Sequence, residues 1–409
     1  MSALALAWRN LVRQRRRSLL MIAVVGFGFA SFALAGGFIA QTFEALKEGT
    51  IRSVGDLQIV DKRAIGKAEE ATLEFGIPDA RRARSIAAKD PDVEAVLPRI
   101  DFVGLATNGI RSVPFLGVGV DPGPEAAATL APELVVSGKY LTGDGGEGIV
   151  LGTGLASALE VKPGDRVTLM ATTRDGSLNA VDGVVEGLVD VKIKELNDRY
   201  LAGGIGLVSR LLQSPETVSK LVIFLKPHSS TRENEAAARL AKEFQAAGFP
   251  IAVRHWKELA VFYGQVRLLY IGIFGFVGAV LVVIVVLSAA IVMTMAVTER
   301  TREIGTLRAL GTRPAGILGM FLSEGVVIAV AGCLAGMLFA LVVRAGLNAS
   351  GIILPPPPGA THGMPIHVNF YPLAYVAGLV AMILTMAIAS FFPARRASRI
   401  AIVEALAHV

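Results

Sequence analysis

Residues Leu268–Val297 form a run of thirty without one charged side chain. A bilayer core is crossed by about 20 apolar residues in a helix, so this run can hardly belong to a soluble surface. Three similar runs accompany it: Ser18–Phe43, uncharged throughout; roughly 315–343, interrupted once by Glu324; and roughly 370–393. Of the 409 residues 53% are hydrophobic and 18% charged, and the apolar excess is concentrated in these four runs. Between the first and second lies a stretch, 44–267, of ordinary soluble composition and long enough for a core of its own. The expected fold class is an α-helical membrane protein with four transmembrane helices and a mixed α/β extracytoplasmic domain inserted between helices 1 and 2.

Charge sets the expected orientation. Arg9, Arg13, Arg15, Arg16 and Arg17 precede the first run, with no acid among residues 1–17. The connector 298–314 carries Arg300, Arg302, Arg308 and Arg313 against Glu299 and Glu303. The tail 394–409 carries Arg395, Arg396 and Arg399 against Glu404, whereas the loop 344–369 has Arg344 alone. Basic residues flanking spans stay in the cytosol, which puts the N-terminus, connector and tail inside and the large domain and the 344–369 loop outside. The net charge of +6 is then explained by topology, and no nucleic-acid partner is inferred. Cys333, the sole cysteine, sits in the third run, so the external domain has no disulfide framework. That favours a bacterial inner membrane, with the domain in the periplasm. Ala33-Leu34-Ala35 would suit a cleaved signal peptide, but the apolar run continues past it, which favours an uncleaved anchor.

Residues 1–17 have Leu4, Trp8, Leu11 and Val12 at helical spacing among arginines, the pattern of an interfacial amphipathic helix. In the external stretch VGDLQIV, AVLPRIDFVGLAT, SVPFLGVGV, GIVLGTGLASALEVKPGDRVTLMA, GVVEGLVDV and KLVIFLK read as strands between Gly and Pro-Gly-Asp turns. Two helices are expected, in IPDARRARSIAA and TRENEAAARLAKEFQAAG, the second capped by Ser230 or Thr231 and stopped at Gly248. The chain contains no G-x-x-x-x-G-K-[ST] loop, H-E-x-x-H, C-x-x-C or G-x-S-x-G. His362 and His367 are five apart, a spacing that suits neither one helix face nor one strand face for a metal.

The connector reads TERTREIGTLRALGTRP. Ile304, Leu307, Ala309 and Leu310 form a short apolar stripe among charges; Gly311 and Pro314 mark a stop and a new start. Periodicity alone leaves two readings open, a helix lying on the cytosolic face or a solvated loop. VTERTREIGTLRALGTR, FLSEG, AGCLAG and the tail PARRASRIAIVEAL resemble the FtsX-like permease family, the MacB and lipoprotein-releasing branch of ABC transporters. Ile402 stands where that family has a Pro. SGKYL and IVLGTGLASALEVKPGDRV resemble the family's periplasmic core.

The resemblance implies one span, a periplasmic domain and three more spans, laid out as in the lipoprotein-releasing permeases. It makes the connector a coupling helix, in which Glu299, Arg300, Arg302, Glu303, Ile304, Leu307 and Arg308 touch a separate ABC ATPase dimer that binds ATP and Mg. No cofactor is expected in this chain. A second permease copy or paralogue, membrane lipids and a periplasmic carrier or adaptor are the other expected partners. The family mechanism is mechanotransmission: ATPase closure moves long stalk helices, which move the external domains around a lipid-linked cargo. A non-transporting relay to a periplasmic partner is the alternative.

Thirty helical residues extend about 45 Å against a hydrocarbon core of about 30 Å, so the second span is expected to continue outside, joined by RHWKELAVFYGQVR. The first is expected to run on through FEALKEG. Gly26, Ala30, Ala33 and Gly37, Gly275 and Ala279, and Gly332 and Gly336 are small residues at helix-contact spacing. The first and second spans are the expected dimer contacts. Glu324, ten residues past the connector, is read as structural, with proton transfer as the alternative. In the outer loop Ile352, Ile353, Leu354 and Met364 flank four prolines, either as a rigid spacer or as an apolar rim for a lipid-linked substrate.

Overall fold

The computed structural model describes residues 15–66, 73–129, 131–143, 146–227, 232–355 and 361–400. The chain divides into two compact units. One comprises 1–45, 265–353 and 365–409; the other comprises 46–264 and 354–364. The chain therefore passes four times from one unit to the other.

The first unit contains four helices long and apolar enough to cross a membrane. TM1 is Arg15–Val54, TM2 Val261–Glu299, TM3 Pro314–Ser350 and TM4 Pro372–Ser398. TM1 has 40 residues and TM2 39, so each is about 60 Å long at 1.5 Å per residue. Upstream of TM2 the expected stalk is interrupted. Arg254 and His255 belong to a strand, Trp256–Leu259 is a separate short helix, and Ala260 leaves the helical conformation at ψ 56. The amphipathic segment up to residue 14 and the tail from 401 lie outside the described residues.

Small residues let TM1 and TM3 meet backbone to backbone. A Cβ on Gly336 would fall 2.3 Å from the Gly26 carbonyl oxygen, and one on Gly26 3.0 Å from that of Gly332. Ala30 and Ala33 are buried beside Met21, Val25 and Phe29, packed with Cys333, Met382 and Met386. Thus the small residues of TM1, expected at a dimer contact, are used inside the chain. On TM2 the reverse holds: a Cβ at Gly272, Gly275 or Gly278 would meet nothing within 4 Å, and Ala279 is exposed.

The second unit is a mixed α/β domain. Its strands are β1 (Leu57–Asp61), β2 (Val93–Thr107), β3 (Ser112–Val120), β4 (Val135–Gly138) and β5 (Gly148–Gly152). They continue with β6 (Arg166–Thr172), β7 (Leu178–Val189), β8 (Tyr200–Gly204), β9 (Lys220–Leu225) and β10 (Ile251–His255). The ladders β2–β3–β8–β5–β7–β6 return to β2, closing a ring of six strands. The row β9–β1–β10 extends from the other end of β2. β2 changes partner on one edge, from β9 at Val93–Arg99 to β6 at Leu105–Thr107. Gly104 stands at the changeover, where a Cβ would lie 2.2 Å from the Met170 carbonyl oxygen; only glycine lets β6 approach. Ile100, Phe102, Phe115, Ile149, Leu169 and Leu201 are among the side chains of the common core.

Both expected helices are present, Ala80–Ala87 and Glu233–Ala246. Asp79 caps the first through a bond from the Arg82 amide. Ser230 and Thr231 lie outside the described residues, and Arg232 precedes the first turn of the second. Two further helices are present: Thr153–Leu159, inside a run read as strand, and Ile205–Leu212, in a stretch given no element. Each follows a short buried strand and lays its leucines on the core.

TM1 ends on a closely satisfied joint. Gly55, at φ +79, donates to Ile51. Gln58 Nε2 donates to Val54 O (2.8 Å) and Arg99 Nη1 to Ser53 O (2.5 Å). These are last-turn carbonyls that a helix leaves unpaired. Arg99 is itself held by Glu125, at 2.6 Å.

The Gly26–Gly336 crossing gives a direct test. Gly336→Val is expected to lower the unfolding temperature of the purified chain by several degrees, because the added carbons meet backbone that cannot retreat. Gly275→Val is expected to leave it unchanged. Equal melting of both variants in detergent would contradict the crossing.

Candidate functional site

The connector is a helix, Thr301–Ala309, set between TM2 and TM3 by Arg300 on one side and by Gly311, at φ +92, on the other. Its apolar stripe is not one face. Thr301, Ile304 and Gly305 are buried, and Ile304 packs with Val297, Ile317, Phe321, Ala394 and Ala397. Leu307 and Leu310 turn the other way, Leu310 with 79% of its surface open. Each three-residue step turns about 60° round the helix, so from buried Ile304 the stripe passes through half-open Leu307 to open Leu310.

Three charged residues of the connector are bound to other spans. Arg300 donates to Glu303 at 3.0 Å and to Glu324 of TM3 at 3.2 Å, with its guanidinium 5.7 Å from the centre of the Phe321 ring. Arg308 Nη1 donates to the carbonyl oxygens of Ser398 (3.1 Å) and Ile400 (2.9 Å), the open end of TM4. A cation there also meets the negative end of the helix dipole. Glu299 pairs through both carboxylate oxygens with Arg17 of TM1. The connector is thus tied to TM1, TM3 and TM4.

Of the seven residues singled out in the sequence, Arg302, Glu303 and Leu307 are exposed on the outer side with Thr306 and Leu310. Ile304 is core, Arg300 and Arg308 are bound inward, and Glu299 is shared with TM1. Leu310 was part of the stripe but not among the seven. Glu324 is 6% exposed and held by Arg300. In the outer loop Ile352, Ile353 and Leu354 are exposed. Met364 begins a two-residue strand with Pro365; its side chain and residues 356–360 lie outside those described.

The Arg300–Glu324 pair is testable. Removing one partner of a buried ion pair strands the other and costs about 3–5 kcal/mol, whereas replacing both with apolar groups is often close to neutral. Arg300→Met is expected to destabilise the chain, and Arg300→Met with Glu324→Leu to restore most of the loss. Additive losses in thermal unfolding would contradict the pairing.

The family described as MacB-like periplasmic core domain matches residues 18–243, and that described as FtsX-like permease C-terminal matches 275–402. The chain is 26% identical over 363 residues to the lipoprotein-releasing system transmembrane protein LolC of Xylella fastidiosa (strain 9a5c), spanning 84% of this chain and 86% of that one. It is 37% identical over 116 residues to the macrolide export ATP-binding/permease protein MacB of Nitrobacter winogradskyi, spanning 28% of this chain and 16% of that one. The crystal structure of the periplasmic region of MacB from Actinobacillus actinomycetemcomitans aligns with 51% of this chain and 93% of its own, at 15% identity and a TM-score of 0.37. Core domain first, permease segment second, with four apolar helices: the chain belongs to the FtsX-like, MacB-type family of ABC transporter permeases.

Proposed function

We propose that the chain is the permease subunit of a transporter driven by a separate ATPase, and that it works by mechanotransmission on a lipid-linked or hydrophobic cargo outside the inner membrane. The observation that carries this reading is the pairing of β1 with β10. TM1 leads into β1 through two residues, and β10 leads toward TM2 through Trp256–Leu259 and Ala260. Leu57 faces His255 across the ladder, and the Trp256 amide donates to Asp56 O at 3.1 Å. The two long helices therefore attach to hydrogen-bonded neighbours, and displacement of either reaches the same pair of strands.

At the cytosolic end, the ATPase dimer docks on the outer side of the connector, at Arg302, Glu303, Leu307 and Leu310. Bonds from Glu299, Arg300 and Arg308 pass its motion to TM1, TM3 and TM4. ATP and Mg are bound by that partner. Exposed Ile352, Ile353 and Leu354 give the outer loop an apolar edge that suits acyl chains. The lipoprotein-releasing name of the LolC relatives supports the same cargo class. A second permease copy or paralogue packs on the open small-residue face of TM2, and a periplasmic carrier receives the cargo.

Glu303→Lys and Leu307→Asp are expected to lower ATPase association or its stimulation by at least several-fold without unfolding the external domain, since both lie on the exposed side. Unchanged complex formation and ATPase stimulation in both variants would return the connector to a topological loop. Photocrosslinkers at positions 352–354 are expected to capture lipid-linked molecules when ATP is present. Capture of protein neighbours alone would favour a relay to a periplasmic partner over extraction.

A further inference from the structure

The loop between TM3 and TM4 is secured at its base and again at its tip. At the base, Val368 N donates to Asn348 Oδ1 (2.9 Å), Asn348 Nδ2 to Val368 O (3.1 Å), and Arg344 Nε to Val368 O (3.0 Å). Asn369 reaches Gln41 of TM1. All of these residues belong to the membrane-helix unit. The tip, 354–364, belongs to the other unit. There the Thr361 amide donates to Lys192 O at 3.0 Å. Thr361 Oγ1 donates to Asp190 Oδ1 (2.7 Å), and His362 Nδ1 lies 3.1 Å from Asp190 Oδ2.

Asp190 stands just after β7 in a turn of defined shape. Its Oδ1 accepts from the Lys192 amide at 2.8 Å, its own amide donates to Leu134 O at 2.9 Å, and Lys192 is at φ +64. A carboxylate only accepts hydrogen bonds, so His362 presents Nδ1–H to it, and the ring stays a donor whether or not Nε2 is protonated. Asp190 Oδ1 and Oδ2 are thus both engaged by the loop, while the backbone bond to Lys192 fixes its direction.

We infer that the TM3–TM4 loop is a short leash, clasped to the external domain at Asp190–Lys192 by Thr361 and His362. Five residues lie between His362 and Val368; the six extended steps span about 20 Å. While the clasp holds, the outer end of TM3 and the Asp190 turn cannot separate beyond that reach. The leash adds a tie besides the TM1 and TM2 connections. Its consequence for transport rests on the mechanotransmission reading; its existence does not.

Hydrogen–deuterium exchange of the full chain in detergent, read on peptides covering 361–366, tests the clasp. Thr361→Val combined with His362→Ala leaves the domain turn intact, and Asp190→Asn keeps the turn's shape. Exchange at the tip is expected to accelerate about tenfold in the double variant, the loss of two modest hydrogen bonds, and to rise less in Asp190→Asn. A wild-type tip that exchanges as fast as the double variant overturns the clasp. Spin labels at positions 180 and 350, on either side of the leash, with the ATPase and ATP, separate the two ideas. Labels that move on ATP addition, with cargo release altered in the double variant, support the leash in transport. Labels that move while release is unchanged overturn that role. Labels that do not move, beside a protected tip, overturn mechanotransmission and leave the clasp standing.

Discussion

An α-helix closes its own backbone hydrogen bonds, and every long element of this chain depends on that self-sufficiency. Hydrocarbon offers no partner to a free amide or carbonyl, so a span must be helical. TM1 and TM2 extend the same solution well beyond the thickness of a bilayer core, into a part of the chain where side chains can take over the capping. The end of TM1 shows the handover. Its last carbonyls are met by Gly55, Gln58 and Arg99, and Arg99 is buried against Glu125. The helix thus ends on an arginine that the sheet itself fixes in place.

At the opposite end of the spans the connector divides its charges between two tasks. Arg300 and Arg308 face inward because each meets a group that would otherwise be left without a partner, a buried carboxylate in one case and open carbonyls in the other. Glu303 is shared, since it accepts from Arg300 yet stays exposed. What remains outward is a patch of one acid, one base, one threonine and two leucines. Such a patch can be read by a partner only if the helix beneath it holds still, which is what the inward bonds provide.

The spans were legible because hydrophobic length needs no context: thirty uncharged residues leave one reading. Strands β3 and β9 were legible for the same reason, as apolar runs between turns. The short helices Thr153–Leu159 and Ile205–Leu212 were not. At seven or eight residues, LASAL and LVSRLL carry too few turns for a helical period to stand out from a buried strand. The connector's periodicity left helix and loop both open, and only the resemblance favoured the helix; its orientation was not legible, because Arg300 and Arg308 find their partners 24 and 90 or more residues away. Small-residue spacing in TM1 fitted packing within the chain as well as between copies, for a related reason. Spacing says that a face is smooth and cannot say which helix lies on it.

The contact of Gly26 with Gly332 and Gly336 has a kinematic side. Where two helices meet through interlocked side chains, rotation of one about its axis must unseat knobs from holes, and the barrier is set by that unpacking. Val25 makes such a contact over Gly332, where a Cβ would fall 2.8 Å from its side chain, whereas at Gly26 and Gly336 bare backbone meets bare backbone. The glycine contact therefore leaves the axial orientation of TM1 to the side chains around it, Val25 seated on TM3 and Phe29 within the buried core of the spans.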